Sequence, residues 1–355
     1  MLKIKTTCIG AYPKPEYVPI IDWFDRSEGE QDMTTTRATL SYEQRLDEAG
    51  EAAEALFVRA ATEVIADQIE CGIDIPTDGE VRRENYIHYH CRHFDGIEFD
   101  NLTRVLARDG AAYMELPTIS SAIVTQPGHF LPHDFKAAQA STKQPIKITV
   151  PGPITIADTT ADRHYGDKKK LCHDLAIAIN HEVRALSEAG CRYIQIDEPL
   201  FARNPDEALA FGIENLERCF HGIGKHTTAV MHMCCGYPNF LDEDGYQKAQ
   251  RQTYFDLADN LDDSIIQQIS IEDAHQHNDL KLLERFARST IIFGSFAVAS
   301  SSVESTEQIR DRLRAALNHI DIERLIAAPD CGLGLLGRDL AMKKLKNMCE
   351  AAKNL

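Results

Sequence analysis

Short runs of apolar and β-branched residues recur along this chain, and most are separated by a longer stretch with helical periodicity. Eight such runs stand out, at residues 5–9, 73–77, 146–150, 193–197, 228–232, 267–271, 290–294 and 325–329. Strands that alternate with helices imply βαβ units and a parallel sheet. Eight of them favour a closed (β/α)8 barrel over an open doubly wound sheet. The expected fold is therefore α/β, one catalytic (β/α)8 TIM barrel over residues 1–355, with no fixed-period repeat or Gly/Ser linker to divide it. The stretch 89–144 is long for a single connection, so an excursion from the barrel, such as a hairpin, is expected there.

The helical stretches carry their own punctuation. Residues 36–70 are rich in Ala and Glu. Residues 169–189 place Leu171, Leu175, Ile179, Val183 and Leu186 on one face and stop at Gly190, a C-cap residue. Ser305 followed by Gln308 forms a capping-box pattern ahead of the apolar face Ile309, Leu313 and Leu317.

Composition excludes several classes of function. With 43% apolar and 26% charged residues the chain reads as an ordinary globular protein. No apolar run approaches the roughly 18 residues of a membrane span, and the N-terminus has no secretory h-region. A cytoplasmic protein without membrane contact is expected. The net charge of −17 argues against nucleic-acid binding, which rests on Lys/Arg contacts to phosphate. Ten cysteines scattered over a chain of this kind are expected to be thiols, metal ligands or core residues, not a disulfide framework.

Polar residues cluster just after the expected strands, where barrel enzymes place their active sites. They are Asp78 and Glu80, Asp197 and Glu198, His232 and Cys234, Glu272, then Asp330 and Cys331. His232, Cys234, Glu272 and Cys331 form an N/S/O set suited to zinc. Two thiolates and a carboxylate overcompensate the ion, which makes it a poor activator of water. Such a site suits holding a substrate thiol as a nucleophilic thiolate. Plainer readings stand beside this one. Cys8, Cys71 and Cys191 fit a core. Cys235 could replace Cys234. Glu272 with Asp273, His275 and His277 could be a hydrated loop, and Asp197-Glu198-Pro199 a helix-entry cap.

Several of these stretches are familiar together. Thr6-Thr7-Cys8-Ile9-Gly10-Ala11-Tyr12-Pro13, Asp78-Gly79-Glu80-Val81-Arg82-Arg83, Gly152-Pro153-Ile154-Thr155, Ile194-Gln195-Ile196-Asp197-Glu198-Pro199, His232-Met233-Cys234, Ile271-Glu272 and Pro329-Asp330-Cys331-Gly332-Leu333 occur in the order found in the cobalamin-independent methionine synthase family. The chain resembles that family's C-terminal catalytic barrel in a stand-alone core form. The resemblance implies Zn2+ at His232, Cys234, Glu272 and Cys331, and substrate-amino contacts from Glu80 and Asp197. It places Ala11 and Tyr12 in a substrate-binding stretch where the family has Ser at position 11. It implies a small thiol acceptor, homocysteine, and a methyl donor.

Three positions depart from the pattern. Thr159 stands near the family's pterin-stacking Trp, and Ala297 and Ala299 stand where the family has an Asp and a His that help protonate the folate leaving group. Folate nitrogen is a poor leaving group and needs that acid. The departures favour a pre-activated alkyl donor such as a methyl-corrinoid carrier protein, a sulfonium or an epoxide. His275 or His277 could supply the missing acid. The chain is also similar to the epoxyalkane–coenzyme M transferases, which gives an epoxide–thiol transferase or thioether lyase as the alternative. A metal-free lyase of the uroporphyrinogen decarboxylase kind and a non-catalytic zinc-binding barrel complete the range.

Overall fold

The computed structural model describes residues 3–25, 36–107, 112–243 and 245–355. Ten strands are present: β1 (Lys5–Thr6), β2 (Phe94–Ala107), β3 (Ala112–Thr125), β4 (Lys147–Pro151), β5 (Ala161–Asp162), β6 (Tyr193–Asp197), β7 (Thr228–Met233), β8 (Gln268–Ile271), β9 (Thr290–Gly294) and β10 (Leu325–Ala328). Seven of them form one sheet in the order β1-β10-β9-β8-β7-β6-β4, and every pairing in it is parallel. Residues 73–77 supply the eighth stave. They are joined to the ring only by parallel bridges, Thr7 to Ile75 and Thr77 to Lys147. Pro76 explains the thin ladder: it has no N–H to donate, although its carbonyl accepts from the Lys147 amide at 2.9 Å. The result is the expected barrel.

An apolar layer plugs the barrel. Ile9, Val230, Ile292, Ile326 and Ala328, from four of the staves, form one buried cluster. Polar side chains share the interior: Gln195 donates to the Ile9 carbonyl at 2.9 Å and to Asp197 at 2.7 Å. Lys147 is 1% exposed, and its ammonium has no hydrogen-bond partner among the described residues.

The outer helices follow their sequence patterns. Helix Lys168–Glu188 buries Leu171, Leu175, Ile179, Val183 and Leu186, each worth about 1.5–3 kcal/mol against exposure. Gly190 follows its end at φ +97°, a conformation that suits glycine. Ser305 and Gln308 form the full capping box of helix Thr306–Ala316. The 36–70 stretch is two helices, Thr36–Ala49 and Ala52–Cys71, because Gly50 at φ +52° turns the chain between them.

Between residues 89 and 144, β2 and β3 make a long antiparallel hairpin, followed by helix Leu131–Gln139. The pairing shifts register between Asp95 and Ile97 and between Glu98 and Thr103, which bends the ribbon. β3 also pairs with the short β5. The hairpin brings Val105, Met114 and Leu116 to the open C-terminal mouth of the barrel.

Candidate active site

A cavity of about 820 Å³ opens at the C-terminal face of the barrel. Its floor is made by strand ends. β7 contributes His232 and, one residue past its end, Cys234; the loop after β10 contributes Cys331. The imidazole and the two thiols converge, with one ligand atom from each lying within 4.8 Å of the others. His232 Nε2 is 3.4 Å from Cys331 Sγ, while its Nδ1 is held 2.9 Å from Ser270 Oγ. Fixing one ring nitrogen in this way leaves the other aimed at a ligand, as metal-bound histidines require.

The electrostatics agree with that use. Cys234 is held well below the usual thiol pKa, chiefly by the hydrogen bond from Cys331, against burial and with help from His232. Cys331 is driven up by the same contact. Burial opposes charge on His232, but the contact with Cys234 outweighs it and raises the imidazole. The Cys331 and His232 contacts thus favour the thiolate form of Cys234. Cys235 points elsewhere: burial pushes its thiol up to about 12 and it packs in the core. Cys8, Cys71 and Cys191 are core residues too, as the plainer reading had it.

Glu272, the expected fourth ligand, is placed beside this trio but engaged otherwise. Its Oε1 pairs with Lys248 and lies 2.9 Å from His275 Nδ1, and its Oε2 accepts the Cys235 amide at 2.9 Å. Burial raises its pKa, but these cations prevail and lower it. Three of the four expected donors thus converge, and the fourth lies against its own counter-ions. A trio of one imidazole and two thiols fits zinc by donor type.

A second group of charges faces the trio. Glu80 sits on the loop after the 73–77 stave with φ +55°, a left-handed conformation that costs a non-glycine residue about 1–2 kcal/mol. Thr149 donates to Glu80 Oε1 at 2.6 Å, and Arg83 Nη1 lies 3.4 Å away. Arg83 is also 3.5 Å from Asp78 and donates to Thr149 at 2.8 Å. Gly10 leaves this carboxylate its space, since a Cβ there would meet Glu80 Oε1 at 2.5 Å. Asp197 ends β6 in the same cavity. Burial pushes its pKa up to about 7, with His232 opposing and Glu80 adding to the rise. Asp78, Glu80 and Asp197 share this pole with the buried cations Arg83 and Lys147, and Lys14 also acts on Glu80.

Other sequence-derived candidates fall differently. Ala11 lines the cavity, whereas Tyr12, the next residue of an extended segment, points the other way with its hydroxyl 3.4 Å from Asp67. Glu198 accepts from the Ile154 amide and from both the amide and hydroxyl of Thr155, so it is a helix-entry cap. His275 does not line the cavity. Its Nε2 accepts the Ala299 amide at 2.9 Å, and its Nδ1 lies 2.6 Å from Asp330 Oδ2. His277 has a 64% exposed side chain facing Asp273. Asp330, fully buried, ties down the amides of Asp273, Ala274 and His275. Thr159 lines the cavity, and Ala297 lies outside it.

An aromatic cavity roof was not foreseen. Trp23 packs on Phe24 and Tyr86 with ring centroids at 4.8 and 5.6 Å, and Phe24 reaches Tyr237 at 5.6 Å. Trp23 is the single tryptophan of the chain, which was the one available signal. Arg203, in the short helix Leu200–Arg203, also lines the cavity and was not foreseen.

Comparison with known proteins places this architecture. A methionine synthase of Saccharolobus islandicus is 30% identical over 353 residues, covering 99% of this chain and 94% of the relative. That of Thermococcus kodakarensis is 30% identical over 355 residues, covering 99% and 93%. The solved B12-independent methionine synthase from a Shewanella species, in complex with selenomethionine, superposes with a TM-score of 0.84 at 28% identity, covering 99% of this chain and 97% of that one. The family described as the catalytic domain of cobalamin-independent synthase matches residues 4–354, and the chain belongs to that family.

Proposed function

We propose that the chain transfers an alkyl group, a methyl group by likeness to its relatives, to the sulfur of homocysteine, with zinc held by His232, Cys234, Cys331 and, as fourth ligand, Glu272. The observation that carries this is the presence of two unlike poles in one cavity: a thiol–imidazole trio and a pair of carboxylates, Glu80 and Asp197. An amino-acid thiol bears the complementary pair, a sulfur and an ammonium. The Shewanella relative's complex with a selenoether amino acid supports the same class of ligand.

When bound, the metal would supply a Lewis acid that keeps the substrate sulfur in its thiolate form near neutral pH. The chain's own residues do the rest. Glu80 and Asp197 take the ammonium, with Thr149 and Arg83 fixing Glu80. Ser270 sets the His232 ring. Lys248 and His275 hold the Glu272 carboxylate next to the trio. The aromatic roof and the hairpin wall shield the reacting atoms from water. No imidazole other than those of His88 and His232 lines the cavity among the described residues, and Ala297 and Ala299 have no side-chain proton to give. A donor already activated for transfer fits such a site better than one that must be protonated to leave.

Elemental analysis with a homocysteine titration followed by zinc-edge X-ray absorption tests this. The expected result is about one zinc per chain, loss of zinc in Cys331→Ser, and one added sulfur neighbour on titration. Wild-type protein that takes up no zinc on reconstitution would refute it.

A further inference from the structure

The cavity has a third charged feature that the acceptor does not use. Arg203 is the only lysine or arginine among its described lining residues. Its guanidinium makes no ion pair or hydrogen bond to any described residue. Arg203 is exposed at the cavity, so its fork is open to solvent and to a ligand. Several other arginines of the chain are paired: Arg82 with Glu54, Arg83 with Asp78 and Glu80, Arg92 with Glu84, Arg312 with Asp273 and Arg338 with Asp67. Asp158, another acidic lining residue, is already bound to Lys168 at 2.5 Å and accepts from Asn204 at 3.3 Å.

The surroundings keep this guanidinium open. Gly236, two residues past Cys234, sits at φ +146°, and a Cβ there would come within 3.2 Å of Arg203 Nη2. A bare glycine at that point leaves the fork room beside the loop that carries Cys234. The same cavity has an apolar wall, with Leu200 from the arginine's own helix and Val105, Met114 and Leu116 from the hairpin. Thr159 and Gln247 add polar groups to the lining.

A guanidinium with no internal partner presents a planar fork of donors that matches a carboxylate or phosphate. It also offsets the negative field that an anion would meet on approaching this protein. We propose that Arg203 recognises an anionic group, a carboxylate or a phosphate, on the second substrate, the alkyl donor, whose apolar portion lies along the hairpin wall. This rests on the transfer reading above, in which Glu80 and Asp197 engage the acceptor. The donor is then an amphiphilic anion and not a neutral or cationic alkylating agent, and a sulfonium donor without an acidic group is disfavoured.

The test uses three small probes on the zinc-reconstituted full chain at low ionic strength: p-toluate, phenyl phosphate and the neutral p-toluamide, each titrated by ligand-observed NMR. Wild type is expected to bind one of the anions at least about tenfold more tightly than the amide, as a charge-assisted bond requires. The preferred anion says whether a carboxylate or a phosphate is read. Arg203→Gln is expected to abolish the preference, and Arg203→Lys to keep part of it, while homocysteine affinity stays within about twofold in both. The proposal is overturned if wild type shows no anion preference, if Arg203→Gln retains it, or if homocysteine affinity falls as far as the anion's, which would make Arg203 an acceptor residue. Failure of the transfer reading has a separate mark: wild type that binds no homocysteine at all, whatever the probes do.

Discussion

Replacing Glu80 by Gln isolates the charge from the shape of the acidic pole. The amide keeps an oxygen for the Thr149 hydroxyl, which lies 2.6 Å from Glu80 Oε1, and Arg83 retains Asp78 at 3.5 Å. The pole is left with Asp197 as its cavity-facing carboxylate. A hydrogen bond between charged groups contributes about 1.5–3 kcal/mol, so homocysteine affinity is expected to fall about tenfold to 150-fold. Asp197 must be ionised for the comparison, and burial pushes its pKa up to about 7, so the titration belongs near pH 8. Isothermal titration of zinc-loaded protein supplies the affinities, with 4-mercaptobutanoate as the control because it is homocysteine without the amino group. Glu80→Gln should leave that ligand unaffected. An equal loss for both thiols would mean that Glu80 supports the fold of the site and not the ammonium. No loss for homocysteine would remove it from the site altogether.

Three further outcomes follow from named contacts. Cys331→Ser should lose metal while Cys235→Ser keeps it, because only Cys234 and Cys331 converge with His232; equal zinc contents measured by emission spectroscopy would refute that division. Lys147 is fully buried and burial lowers its pKa from 10.5 to about 8, which corresponds to roughly 3 kcal/mol. A lysine whose folded pKa is lowered penalises folding in full below about pH 8, and the penalty fades up to pH 10.5 as the unfolded chain alone stays protonated. Lys147→Met should therefore raise the urea midpoint at pH 7, with the gap narrowing by pH 10; a gap independent of pH would count against it. His277→Ala should leave turnover within about twofold, whereas His275→Ala should cost about 3–5 kcal/mol of stability by stranding buried Asp330, as thermal melts would show.

The barrel was legible because each stave is a short apolar run bounded by helix punctuation, and β6, β9 and the capping box at Ser305 fall where the pattern put them. The hairpin's conformation was not legible. Its strands are 14 residues each, broken by two register shifts, so no period-2 pattern runs their length. The metal trio could be foreseen from strand ends alone. The fate of Glu272 could not, because Lys248 reaches it from 24 residues away on a different loop. His275 looked free in the sequence for a related reason: the group that captures it, Asp330, lies 55 residues further on. Tyr12 and Arg203 show the same limit, since facing in or out of a cavity depends on a single residue of register.

The ring is closed by its most distant parts. Lys5 pairs with Ile326, and no stretch of chain shorter than almost the whole sequence can make that contact. The staves from β4 to β10 each meet a neighbour close in sequence, and the first stave meets residues 73–77 at Thr7–Ile75, whereas the β1–β10 pair must wait for the last strand. Such non-local pairing is slow because the entropy of ordering the intervening chain is spent before the contact forms. Cys331, on the loop after β10, joins His232 and Cys234 at the end of β7 only once β10 has docked, so the three-donor group is completed by the last stave of the barrel.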